Sequence, residues 1–128
     1  ATMKLLLIGC GNMGSALLGG AMKSKFLRPE EVFVFDKSEE RMEEMCQKWG
    51  VQKGNPGDAT VILLAVKPQH VASVFPLKHG NNPLLISVLA GISTKQLSDF
   101  SGIFSLCRAM PNTPALVSQG MTGVYFSP

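Results

Sequence analysis

Four short apolar runs do most to limit what this chain can fold into. They are Leu5-Leu6-Leu7-Ile8, Val32-Phe33-Val34-Phe35, Val61-Ile62-Leu63-Leu64-Ala65-Val66 and Leu84-Leu85-Ile86-Ser87-Val88-Leu89. A strand with one wet face alternates apolar and polar residues. These runs do not alternate, which predicts strands covered on both faces, the habit of parallel sheets. Helical or turn-rich sequence separates them, so the expected fold is α/β, a doubly wound and mostly parallel sheet with right-handed crossovers. Residues 103–107 and 121–126 are weaker strand candidates, and Val51-Gln52 suits a brief edge strand.

Composition agrees with a core buried from two sides. Of the 128 residues, 45% are hydrophobic and 16% charged, against roughly 25% charged in an average globular chain. That balance excludes disorder, which needs few apolar residues and many charges. The length suits one domain, residues 1–128. A net charge of +3 is too small and too scattered for a nucleic-acid footprint. The longest wholly apolar run, Val61 to Val66, falls far short of the ~20 residues of a membrane span. Neither nucleic acid nor membrane is therefore expected as a partner. Cys10, Cys46 and Cys107 are odd in number and lack metal-ligand spacing, so no metal is expected. They read as reduced thiols, and with no signal peptide ahead of the first run the expected location is cytoplasmic.

Helix signals lie between the runs. Met42, Met45, Cys46 and Trp49 form one apolar stripe at helical spacing, with Ser38 as N-cap and Gly50 as the stop. An earlier helix is predicted over residues 12–25. Its Gly19-Gly20 pair costs about 1 kcal/mol per glycine relative to alanine, which close packing on the sheet would offset.

The first run leads directly into Gly9-Cys10-Gly11-Asn12-Met13-Gly14, a G-x-G-x-x-G pattern that opens that helix. The pattern alone is weak evidence, but a strand before it and a helix after it are the context of a dinucleotide cradle. The first glycine permits the tight turn, the second lets backbone approach a pyrophosphate, and the third lets helix and strand pack closely. Free N–H groups and the helix dipole then face the anion. Asp36 ends the second run about 20 residues beyond Gly14, where an acid hydrogen-bonds the adenosine ribose of this Rossmann type of fold. Such an acid repels a 2′-phosphate, which leans the cofactor toward NADH. Lys37 and Ser38 offer that phosphate a cation and a hydroxyl, so the choice between NADH and NADPH stays open on these residues.

The cradle, the strand end Ala65-Val66-Lys67-Pro68 and the segment Arg108-Ala109-Met110-Pro111-Asn112-Thr113-Pro114-Ala115-Leu116-Val117, with Gly120-Met121-Thr122 after it, together resemble the pyrroline-5-carboxylate reductase family. The Pro-Asn-Thr-Pro loop is the most specific of these features. The resemblance covers the family's N-terminal, cofactor-binding half. It implies NAD(P)H-dependent reduction of 1-pyrroline-5-carboxylate, a cyclic imine, to L-proline in proline biosynthesis. It also implies a second, helical domain outside this chain that pairs the subunits into a homo-oligomer and holds the imine's carboxylate. Carried across, Gly9 to Gly14 hold the pyrophosphate, Asp36 and Lys37 meet the adenosine ribose, and Asn55 stands near the adenine. Ala65, Val66, Lys67 and Pro68, with Ala90 and Gly91, line the nicotinamide ribose. The family commonly has an Asn-Arg-Ser-like sequence where this chain has Asp36-Lys37-Ser38.

Strand order supports the same places independently. Lys67-Pro68 is expected at the carboxyl end of the strand beside the first one, across the crevice where such sheets bind ligands. Pro68, with fixed φ and no N–H, turns the chain sharply into the next helix. No side chain qualifies as the proton donor to the imine. His70 reads as a helix-surface residue, His79 as a turn residue and Cys10 as a small buried one, so the catalytic residue is unassigned. Two other functions fit the same half: a relative of β-hydroxyacid dehydrogenases, and an NAD(H)-sensing regulatory domain without chemistry.

Overall fold

Alternate residues of each apolar run enter opposite faces of a single sheet, and both faces are covered. The structure is a computed structural model and describes residues 3–25, 27–75, 77–89, 91–103 and 105–109, with the backbone of Tyr125–Phe126. Its strands are β1 (Leu5–Ile8), β2 (Val32–Phe35), β3 (Gln52–Lys53), β4 (Val61–Leu64), β5 (Leu84–Ser87), β6 (Ser105–Arg108) and β7 (Tyr125–Phe126). Among the described residues they form one seven-stranded sheet in the order β3-β2-β1-β4-β5-β6-β7. The first six are mutually parallel, and β7 runs antiparallel to β6. This is the expected doubly wound α/β architecture. The order reverses between β1 and β4, neighbours in space that are joined only through β2 and β3.

The helices are α1 (Asn12–Lys23), α2 (Glu39–Trp49), α3 (Val71–Val74) and α4 (Thr94–Ser101). Leu5, Leu7, Val34, Leu63 and Ile86 point to one face, where Leu17 and Leu18 of α1 and Met42 and Met45 of α2 cover them. Leu6, Ile8, Ile62, Leu64 and Leu85 point to the other, against Val71 of α3 and Leu97 of α4. A buried residue on either face contributes about 1.5–3 kcal/mol, which is why runs without polar residues are needed here.

Local signals set the helix ends. The Ser38 hydroxyl accepts from the Arg41 N–H at 3.3 Å, and Gly50 ends α2 in the left-handed conformation at φ 73°. α1 stops two residues short of the expected end: Ser24 caps it, and Lys25 turns left-handed at φ 59°. A Cβ at Gly19 would lie 3.5 Å from Trp49 Cζ2 of α2, an ordinary van der Waals contact, so the neighbouring helix does not require the glycine. α4 carries a capping box, in which the Ser93 hydroxyl accepts from the Gln96 N–H and the Gln96 side chain accepts from the Ser93 N–H. That Ser-x-x-Gln pattern, closed by Gly102, was the local signal for a helix that the apolar runs do not reveal.

Candidate cofactor-binding site

The ladders of β1, β4, β5 and β6 each continue one residue past the strand, and this lines the carboxyl edge with the predicted residues. The Gly9 N–H donates to the Phe35 carbonyl at 2.9 Å, Ala65 to Ile8 at 2.8 Å, Val88 to Leu64 at 3.3 Å and Ala109 to Ser87 at 2.9 Å. Gly9 and Ala65 therefore stand side by side at the β1–β4 reversal, with Asp36 on one flank and Val88 on the other. Ligands bind doubly wound sheets in the crevice outside this edge.

The three cradle glycines serve different purposes. Gly9 has φ +106°, and a Cβ there would lie 2.7 Å from the Ala65 carbonyl oxygen, so β1 and β4 approach too closely for any side chain. At Gly14 a Cβ would lie 1.8 Å from the Gly9 carbonyl oxygen, inside the turn itself. Gly11 differs: it has extended backbone (φ −77°, ψ −161°), and the nearest group to its virtual Cβ is Arg41 Nη1 at 3.5 Å. Its missing side chain leaves open space at the start of α1. Gly11 is the N-cap, and the first turn has neither a side-chain cap nor an acidic residue. The first N–H groups of α1, those of Asn12 and Met13, thus have no side-chain cap, and such free donors are what an anion site at a helix N-terminus uses. The cradle fits a pyrophosphate.

Asp36 is half-buried beside this turn. Its Oδ2 accepts from the Cys10 N–H at 2.7 Å and its Oδ1 from the Ser38 N–H at 2.8 Å. Cys10 is buried, and its thiol is pushed up to about 12, first by burial and then by the Asp36 carboxylate. Burial and the neighbouring carboxylate both disfavour the thiolate, which suits Cys10 as a packed thiol. Arg41 lies beside the cradle, a neighbour that the sequence reading did not name. It is exposed, at the third position of α2, with its guanidinium at the edge of the space over Gly11. The clue available was its place one turn after Asp36-Lys37, at the end of α2 that starts beside the cradle.

Lys67 and Pro68 are exposed at the carboxyl end of β4, where a 3₁₀ turn, Pro68–His70, leads into α3. The sharp turn expected at Pro68 is present. Gly91 is exposed past β5 with φ +79°. Ala90 and the Pro111-Asn112-Thr113-Pro114 loop lie outside the described residues. Asn55 takes part in other contacts: its Nδ2 donates to the Lys78 carbonyl at 2.9 Å, and its Oδ1 accepts from the Gly57 N–H at 2.9 Å. The first bond ties the helix-free connection 54–60 to the segment before β5, and the second closes a turn within that connection. His70 is exposed, and His79 Nδ1 pairs with the Gly80 carbonyl at 2.8 Å. Among the described residues, no group of three His, Cys, Asp or Glu side chains is placed to hold a metal, and no helix is long and apolar enough to cross a membrane.

A family described as NADP oxidoreductase, coenzyme F420-dependent, matches residues 4–91, from β1 past the end of β5. The chain belongs to that family. The match spans the cradle, Asp36 and the β4 and β5 ends. Among curated relatives, the pyrroline-5-carboxylate reductase of Haemophilus influenzae is 40% identical over 126 residues, covering 92% of this chain and 46% of its own length. Among solved structures, a pyrroline-5-carboxylate reductase from Coxiella burnetii superposes with a TM-score of 0.74 at 27% identity, over 91% of this chain and 47% of its own. The Plasmodium falciparum pyrroline carboxylate reductase, solved with NADP bound, superposes with a TM-score of 0.66 at 26% identity, over 90% of this chain and 44% of its own. The chain spans about half the length of the curated relatives it matches.

Proposed function

We propose that this chain is the cofactor-binding half of a pyrroline-5-carboxylate reductase, a cytoplasmic enzyme that reduces 1-pyrroline-5-carboxylate to L-proline with NAD(P)H. The observation that carries the reading is the meeting of an uncapped glycine cradle with the Ala65–Pro68 strand end across the β1–β4 reversal, in a chain similar along nearly its whole length to enzymes of that name. The bound nicotinamide supplies the hydride. Asn12 and Met13 N–H groups hold the pyrophosphate, Asp36 and Lys37 meet the adenosine ribose, and Ala65 to Pro68 with Ala90 and Gly91 line the nicotinamide side. The imine's carboxylate and the proton for its nitrogen require groups from the second half of the relatives' length, a helical domain that also pairs the subunits. Three cysteines without disulfides suit a reducing compartment.

The division of labour is tested on one preparation of residues 1–128, measured beside a full-length version. Micromolar cofactor binding with imine reduction near background is the expected result. Without a covering domain the reacting face stays wet, which weakens each electrostatic contribution to the transition state. Turnover within about tenfold of full length, a deficit of only about 1.4 kcal/mol in barrier, would assign the whole active site to this chain.

On the cofactor, the Asp36 carboxylate favours NADH by accepting from the ribose hydroxyls and repelling a 2′-phosphate, on the order of 1–2 kcal/mol. Lys37 and Arg41 oppose that repulsion. Asp36→Ser is expected to raise the affinity for NADPH relative to NADH, read by fluorescence titration of both. A wild type that binds NADPH at least as tightly as NADH would assign selectivity to Lys37, Ser38 and Arg41 instead.

A further inference from the structure

The Cys10 backbone is held at both its N–H and its carbonyl, and the acceptor for the N–H is the carboxylate otherwise expected to meet the ribose. The backbone ladder between β1 and β2 ends with the Gly9 N–H on the Phe35 carbonyl. The Asp36 side chain carries the tie one residue further, with Oδ2 on the Cys10 N–H at 2.7 Å, while its Oδ1 holds the Ser38 N–H at 2.8 Å. On the other side the Cys10 carbonyl accepts from the Ser15 hydroxyl at 3.2 Å. Gly11 follows immediately, and with it the uncapped first N–H groups of α1. Gly9 and Gly11 lack side chains that would anchor the turn by packing, so its shape depends on such bonds.

We propose that Asp36 is a positioning residue for the pyrophosphate cradle, holding the turn at Cys10 so that the Asn12 and Met13 N–H groups are aimed before the cofactor arrives. The proposal rests on the cofactor reading above and gives Asp36 a role separate from the ribose. A charge-assisted bond to a half-buried carboxylate is among the stronger hydrogen bonds. Removing it leaves the buried Cys10 N–H without its acceptor and lets the turn relax.

The two roles predict opposite signs for a ligand that has phosphates and no ribose. By Coulomb's law alone, removing a carboxylate beside an anion site tightens inorganic pyrophosphate binding. By loss of positioning, it weakens that binding. Inorganic pyrophosphate is titrated as a competitor of NADH on wild type, Asp36→Asn and Asp36→Ala. The expected order of affinity is wild type, then Asn, which keeps one acceptor oxygen, then Ala at least about fivefold weaker than wild type. Unchanged or tighter pyrophosphate binding in both variants overturns the proposal. Hydrogen exchange of the free wild-type protein gives a second measurement that requires no variant to fold. Slow exchange at the Cys10 amide is expected, and exchange as fast as that of an exposed loop amide overturns the proposal. A wild type that binds neither NADH nor NADPH would overturn the cofactor reading, and the exchange result would still decide the role of Asp36 in the turn.

Discussion

Gly14→Val is expected to destabilise the domain by about 3 kcal/mol or more, the upper range for forcing atoms into a packed site, and to abolish dinucleotide binding. The reason lies in the turn between β1 and α1. A Cβ on Gly14 would lie 1.8 Å from the Gly9 carbonyl oxygen, with the Gly9 carbonyl carbon at 2.9 Å and Leu7 Cδ1 at 3.8 Å. The nearest obstacle is backbone and cannot rotate away as a flexible side chain would. Gly9 cannot retreat either, because its own Cα faces the Ala65 carbonyl across the β1–β4 reversal. Relief requires α1 to lift from the sheet, which uncovers Leu17 and Leu18 on the face they share with Leu7. Chemical denaturation checks the stability and NADH fluorescence the binding. An unfolding midpoint equal to wild type would show that the turn opens without cost and that the close approach is not required.

Gly11→Val is expected to separate binding from folding. Dinucleotide affinity falls at least about tenfold, because a branched side chain occupies the place where pyrophosphate must approach backbone, while the unfolding midpoint stays near wild type. Gly11 has extended backbone angles that any residue adopts, and the nearest group to its virtual Cβ is Arg41 Nη1 at 3.5 Å, an ordinary contact with a movable side chain. Unchanged affinity for both NADH and NADPH would remove the cradle from the binding site. Loss of fold would show that the space over Gly11 is needed by the protein itself. The pair of variants thus distinguishes a glycine kept for packing from one kept for a ligand, three residues apart in the same motif.

Much of this was legible in residue order. Runs such as Leu5 to Ile8 and Leu84 to Leu89 have no wet face to signal, and burial on both sides follows directly from that. The glycine cradle, Ser38 as cap and Gly50 as stop are local devices whose reasons lie within a few residues, so they appear in the chain as they do in the fold. Asp36 at the end of β2 and Lys67-Pro68 at the end of β4 followed from the rule that doubly wound sheets bind at their carboxyl edge. Even the reversal beside β1 was accessible, because connection rules leave few strand orders.

The tertiary structure alone decided which donor meets which acceptor. Asp36 and Cys10 are 26 residues apart, and no periodicity says that Oδ2 will meet the Cys10 N–H at 2.7 Å. Arg41 is an unremarked exposed residue in sequence until α2 packs beside α1 and sets its guanidinium near Gly11. Gly19, expected to pack on the sheet, has Trp49 of the neighbouring helix as its nearest group, at a distance that an alanine would also tolerate. Asn55, matched by position to a cofactor contact, has its amide in one bond to the Lys78 carbonyl and one within its own turn. Patterning reports averages over a face, burial against exposure, which survive shifts of an ångström or two. Hydrogen bonds and steric contacts do not survive such shifts, so they are settled only when strands distant in sequence lie side by side at their final register.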